Sequence, residues 1–176
     1  MYRVRFLLMM LACWASKKRG LLEDYELSFR AIPFLDTDVT RTFTHAYAAF
    51  SGLGRWHYVF SSEVGAVAIK HRWFPVTRAE TFTFVRSIKA FEKIRLRTRL
   101  VSWNDECFFL EQDFFVGAEI RAVAYTEGVV RAPEGHLKPV EAFKIFGRHI
   151  EAPPMPADIA AWHSVQKAIR LPYGKP

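Results

Sequence analysis

A chain of 176 residues can bury one sizeable core but is too short for two full domains. Hydrophobic residues make up 51%, charged residues 24%, and 16 are Phe, which excludes a disordered chain and supplies large units of buried area. Lys plus Arg exceed Asp plus Glu by 25 to 18, a net charge of +7, and this favours anionic partners such as nucleic acid, anionic lipid or a phosphorylated small molecule.

Cys13 and Cys107 stand in apolar surroundings, far apart and without metal-ligand spacing. That argues against a disulfide scaffold or a zinc site and suits a reducing, cytoplasmic compartment. The chain divides into an apolar and basic N-terminal segment (1–20), a central domain (21–150) and a Pro-rich spacer with a helical tail (151–176).

In residues 1–20 the apolar run Phe6 to Ala15 is flanked by Arg3 and Arg5 and by Lys17-Lys18-Arg19. Ten apolar residues do not span a bilayer, which needs about 20. The basic residues where a small-residue cleavage site would fall weaken a signal-peptide reading. Two readings stay open: a helix lying peripherally on an anionic membrane surface, or a helix packed on the domain or on a partner chain.

Tyr25 to Ile32 alternates apolar and polar residues and is closed by Pro33, so it reads as a half-buried strand. It leads into an acidic turn, Asp36-Thr37-Asp38. Thr44 is a plausible N-cap for a helix from His45 to about Ser62, whose buried stripe is Ala46, Phe50, Leu53, His57 and Phe60. Gly52 and Gly54 inside that helix each cost about 1 kcal/mol, tolerable if something packs close against its backbone. An irregular crossing over 63–78 precedes four strands: Ala79 to Ile88, Ile94 to Trp103, Glu106 to Val116 and Glu119 to Arg131. Their short connections make successive strands antiparallel neighbours. Helical pieces follow near Val140 to Phe146 and Ala157 to Ile169.

Two carboxylates and an imidazole near a helix N-terminus can form a general acid/base site, because the helix dipole and free N–H groups favour negative charge there. Asp38 is thus a candidate catalytic carboxylate, and an Asx-turn former on the plainer reading. Asp36 reads as a residue that orients or solvates the turn, His45 as an active-site group or a residue satisfied at the helix end, and His57 as a core histidine. Arg95, Arg97 and Arg99 read as a solvated strand face, with contact to an anionic ligand as the alternative. Aromatic and basic residues alternate as core against solvent face, which argues against nucleic-acid binding.

One strand, a long helix and four antiparallel strands make an α+β chain that resembles the hotdog fold, an antiparallel sheet wrapped around a central helix. Asp36-Thr37-Asp38, six intervening residues, then His45-Ala46-Tyr47 resemble the motif of acyl-CoA thioesterases of the 4-hydroxybenzoyl-CoA thioesterase class, over about residues 25–131. The resemblance implies hydrolysis of acyl-CoA thioesters. Asp38 would be nucleophile or general base, His45 would position water or carbonyl, Asp36 and Tyr47 would support, and helix N-terminal amides would form the oxyanion hole. It implies no metal or organic cofactor, and a homo-oligomer. The loop 39–44 departs from the family's small residues. A gapless alignment to a second subgroup places Arg41 where a His belongs and Leu35 where the first Asp belongs. The alternative function is therefore a catalytically inactive hotdog protein that binds an acyl group or a protein partner at the membrane.

Overall fold

The computed structural model describes residues 2–14, 18–38, 40–145 and 150–172. In chain order the elements are α1 (Tyr2–Trp14), β1 (Tyr25–Arg30), α2 (Thr44–Ser61), α3 (Val64–Lys70), β2 (Phe74–Phe84), β3 (Lys93–Trp103), β4 (Phe108–Val116), β5 (Glu119–Ala132), β6 (Gly135–Leu137), α4 (Pro139–Ile145) and α5 (Ala157–Arg170). The strands form one antiparallel sheet in the order β1-β3-β4-β5-β2, with β6 folding back onto the end of β5.

The alternation in β3 decides how the sheet faces. Ile94, Leu96, Thr98 and Leu100 are buried toward α2, and the arginines between them point the other way, as a period of two requires. Around Phe50, fully buried Ile94, Leu96, Phe114, Ala122 and Ala124 join Ala46 and Tyr47 in one cluster. The sheet thus embraces the helix, and this is the hotdog architecture.

Close packing explains one of the helix glycines. A Cβ on Gly54 would lie 2.5 Å from Gln112 Nε2 and 2.7 Å from Leu96 Cδ2 and Thr98 Oγ1. The helix therefore accepts a poor helix former to let the sheet approach.

The 63–78 crossing is more regular than its sequence suggests, since it holds α3 and the first five residues of β2. Pro75 disguises that strand start, but β2 is an edge strand, where a missing N–H is tolerated. The arginine row is not simply solvated: Arg95 pairs with Glu26 at 2.6 Å, Arg97 with Asp113 at 2.6 Å and Arg99 with Glu111 at 2.7 Å. Each finds its carboxylate on a neighbouring element, so the cross-strand partner sets its role.

α1 packs on the outer side of α2, with Phe6 edge-on to Trp56 at 5.9 Å and Met9 and Cys13 buried. Its other face leaves Val4, Leu7, Leu8 and Leu11 exposed. α5 lies on the far face of the sheet, where Ile159 is buried against Cys107 and Phe109.

Candidate active site

The acidic turn is a loop tied to itself and to both ends of the motif. Asp36 N donates to the Ile32 carbonyl, Phe43 N to the Asp36 carbonyl, and Asp38 N to the Arg41 carbonyl. Thr42 anchors it to the chain after β2, donating through both N and Oγ1 to the Ile88 carbonyl at 2.8 and 2.9 Å. This bonding delivers the chain to α2 at a fixed angle. Phe43, not Thr44, is the N-cap residue, and no side-chain cap bond is made there among the described residues. Ala46 N is taken up by the Phe43 carbonyl at 3.0 Å, so among the described residues it is the N–H groups of Thr44 and His45 that are left for another acceptor.

Asp38 accepts hydrogen bonds on Oδ1 from Thr40 N, Thr40 Oγ1 and Arg41 N at 2.6, 2.9 and 2.6 Å. The Arg41 and Thr40 backbone donors, followed by the Thr40 hydroxyl, hold its carboxyl below the usual range. It is therefore a carboxylate at neutral pH.

Of the two roles read for Asp36, orienting the turn and solvating it, its contacts correspond to the first. It is buried, accepts Ile32 N at 2.7 Å, and is gripped by Arg5 of α1 through Nη1 at 2.9 Å and Nη2 at 2.6 Å. The turn is not solvated there, because the guanidinium replaces water. Between the two aspartates, Thr37 is wholly buried and its Oγ1 has no partner among the described residues.

His45 is exposed and stacks on Phe43 at 5.3 Å with planes 13° apart. Tyr47 is buried, its hydroxyl 3.4 Å from Ile88 N, and burial raises its pKa. No hydrogen bond among the described residues joins Asp38, His45 and Tyr47. A recess of ≈ 310 Å³ opens at the start of α2, lined by Arg41, Thr42, Thr44, Tyr47 and the stretch from Phe84 to Ser87; of the three candidate residues Tyr47 lines it, and Asp38 and His45 do not. Arg41 puts a positive charge on its rim, while Arg86 is paired with Glu119 at 3.1 Å.

Two polar clusters carry little signal in the sequence. Beneath the middle of α2, Arg55 Nη1 donates to Ser51 Oγ at 2.6 Å and Thr126 Oγ1 at 3.1 Å, and it pairs with Glu80. Ser51 bonds Glu80 and Gln112, while Gln112 Nε2 donates to the Ser51 carbonyl and to Thr98 Oγ1 at 3.0 Å each. Ser51 and Arg55 at i,i+4, and polar residues at inward strand positions 98, 112 and 126, were the available signs. Under α5, fully buried Glu127 meets Arg170 at 2.9 Å, His163 at 3.0 Å and Arg78 at 3.3 Å. Burial, reinforced by Glu127, pushes the Cys107 thiol up to about 12, so it is a hydrogen-bond donor and no nucleophile.

These features define a hotdog domain with an acidic loop feeding an open helix N-terminus. A family model described as the thioesterase-like superfamily matches residues 32–163, and the chain belongs to that superfamily. Among solved structures, a probable thioesterase from Bartonella henselae is 21% identical, with a TM-score of 0.57 over 66% of this chain and 98% of its own. A probable thioesterase from Escherichia coli is 16% identical, with a TM-score of 0.59 over 69% and 95%. The DHNA-CoA thioesterase of Staphylococcus aureus is 15% identical, with a TM-score of 0.58 over 73% and 98%. At these identities the likeness is one of fold.

Proposed function

We propose that this protein hydrolyses acyl-CoA thioesters at the start of α2. The observation that carries the reading is a carboxylate, Asp38, held ionised in the loop that opens onto an uncapped helix N-terminus. Through the oxygen the turn does not use, Asp38 either takes a proton from a water that attacks the thioester carbonyl, or attacks it directly to form a mixed anhydride that a water then hydrolyses. In both routes the C–S bond breaks and CoA leaves as the thiolate. First-turn amides of α2 receive the developing oxyanion, where the dipole and preorganised N–H groups are most effective. His45 positions water or the carbonyl. Tyr47 lines the recess, and Asp36 acts indirectly by fixing the loop. Arg41 gives the recess a charge suited to CoA phosphates. The open edge of β2 and exposed Phe74 and Phe84 suit assembly into a homo-oligomer.

A second reading has its own support. Asp38 spends Oδ1 on the turn and does not touch His45, which favours a catalytically silent domain that binds an acyl group or a partner. A screen of acyl-CoA esters of varied chain length, read with a free-thiol dye, separates the two. Release of CoA at a rate abolished by Asp38→Asn is expected; no turnover of any ester by a folded protein would leave the binding role.

A further inference from the structure

Far from the α2 N-terminus, a chamber of ≈ 180 Å³ lies between the C-terminal half of α2 and the sheet, with α3 and α4 over it. Its lining is apolar almost throughout, with Trp56, Trp73, Phe108 and Phe143 as the large walls and Ala68 of α3 among the small ones. The polar groups are gathered around Arg55, Thr126 and Thr77. Gly52, where the chamber begins on α2, lies eight residues beyond Thr44, about 12 Å along the helix.

Size, lining and charge together select an occupant. An apolar cavity of about 150 Å³ is large enough to take up benzene. This chamber is somewhat larger, too narrow for a helix or a bulky ring system, and suited to one aliphatic chain of about six to eight carbons. At the polar end Arg55 is already matched by Glu80 and shares Nη1 between Ser51 and Thr126. A ligand carboxylate placed there would meet Glu80 as well as Arg55. A neutral head that exchanges hydrogen bonds with the Thr126 hydroxyl and the guanidinium meets no such repulsion.

We infer that this chamber is a second binding site, for a single-chain aliphatic molecule whose neutral polar head, an alcohol or an acyl ester, meets Arg55 and Thr126. This stands apart from hydrolysis at the start of α2 and holds whether or not that site is active. It also gives the buried Arg55–Glu80 pair a role beyond stability, which such pairs serve poorly.

The test titrates the full chain with 1-alkanols from pentanol to decanol and follows quenching by 8-bromo-1-octanol, since Trp56 and Trp73 wall the chamber. Saturable quenching, competed by 1-octanol, is expected. Affinity should rise about fourfold per added methylene and stop rising once the chain outgrows the chamber. Octanoate at pH 8 should bind more weakly than octanol. Ala68→Phe, which fills the space, should remove saturable quenching. Quenching that never saturates, affinity that climbs without a break through decanol, octanoate preferred over octanol, or unchanged binding by a folded Ala68→Phe protein would each overturn the assignment. Should Ala68→Phe fail to fold, the wild-type quenching and chain-length series decide alone.

Discussion

Arg5 closes on Asp36 with both terminal guanidinium nitrogens, at 2.9 and 2.6 Å. The pair joins the N-terminal helix to the loop that sets the direction of α2. Both side chains are largely buried, at 14% and 9% exposed, and the arginine also lies over Phe29 and Phe50 at 5.5 and 5.4 Å. Removing one member of a fully buried pair costs about 3–5 kcal/mol because the other charge is stranded. Residual exposure lowers this, so Arg5→Ala should lose about 2–3 kcal/mol in urea unfolding. Arg5→Lys should recover only part, since an ammonium cannot reproduce the two-nitrogen grip. A loss below about 0.5 kcal/mol, the range of exposed pairs, would show the contact to be incidental.

Gly54 gives a prediction whose sign is the test. On an open helix Gly→Ala gains about 1 kcal/mol. Here the new Cβ would fall 2.5 Å from Gln112 Nε2 and 2.7 Å from Leu96 and Thr98, inside a bonded network that cannot withdraw freely. Overpacking of this kind costs about 1–3 kcal/mol. Gly54→Ala should therefore lower the melting temperature, and a rise would mean that the sheet is looser against α2 than these distances imply.

How far the sequence discloses the molecule depends on whether a property is periodic or relational. The period-two pattern of β3 and the stripe Ala46, Phe50, Leu53 on α2 announce the sheet and its helix, because burial on one face is written at fixed intervals. His57 and Phe60 depart from that stripe: both are half-buried, and His57 Nδ1 has no partner among the described residues. The Asp-Thr-Asp motif is visible as letters, yet the grip of Arg5 on Asp36 spans 31 positions and has no local sign. The same holds for the arginines of β3, whose partners Glu26, Asp113 and Glu111 come from neighbouring strands. Glu127 and His163, 36 positions apart, meet only because α5 crosses the outer face of the sheet.

His57 makes stability depend on pH. Burial, then the nearby Arg19 charge, lowers its pKa. In the unfolded chain it titrates near about 6.5. Below that value the unfolded state binds the proton first, so stability is full above pH ~6.5 and falls as pH drops toward the lower folded value. His57→Phe should flatten that part of the curve in denaturant titrations at pH 5 to 8. An unchanged slope would assign the dependence to other groups.

The outer face of α1 presents Val4, Leu7, Leu8 and Leu11 to solvent, at the spacing of one helix stripe. None of the described helices is long and apolar enough to cross a membrane. Attachment is therefore expected at the surface, with the aliphatic stripe entering the headgroup boundary and exposed Arg3 meeting anionic lipid. Arg5, Lys18 and Arg19 are engaged by Asp36, by the Cys13 and Phe60 carbonyls and by Glu23. The full chain should bind phosphatidylserine vesicles less well as salt rises, and Leu7→Glu with Leu8→Glu should abolish binding. Attachment that survives high salt and an alkaline wash would rule out a peripheral mode.

Asp38→Asn is the sharpest trial of the proposed chemistry. Asparagine keeps the size and can accept the same turn bonds from Thr40 and Arg41, because both residues form Asx-turns. Only the charge is lost. If Asp38 is nucleophile or base, turnover should fall by about two to four orders of magnitude with substrate binding retained. The native activity should also persist on the acid side to below about pH 4, since the turn holds the carboxyl below its ordinary value and the active form is lost only as pH falls through that lowered value. His45→Ala should lower turnover less, as its ring stacks on Phe43 in solvent. Asp36→Asn should act on stability before activity, because Asp36 is engaged with Arg5. A folded Asp38→Asn protein that hydrolyses acyl-CoA within a few-fold of wild type would move the reaction away from this loop. The carboxylate would then be what its three hydrogen bonds already make it, the hinge pin of a turn.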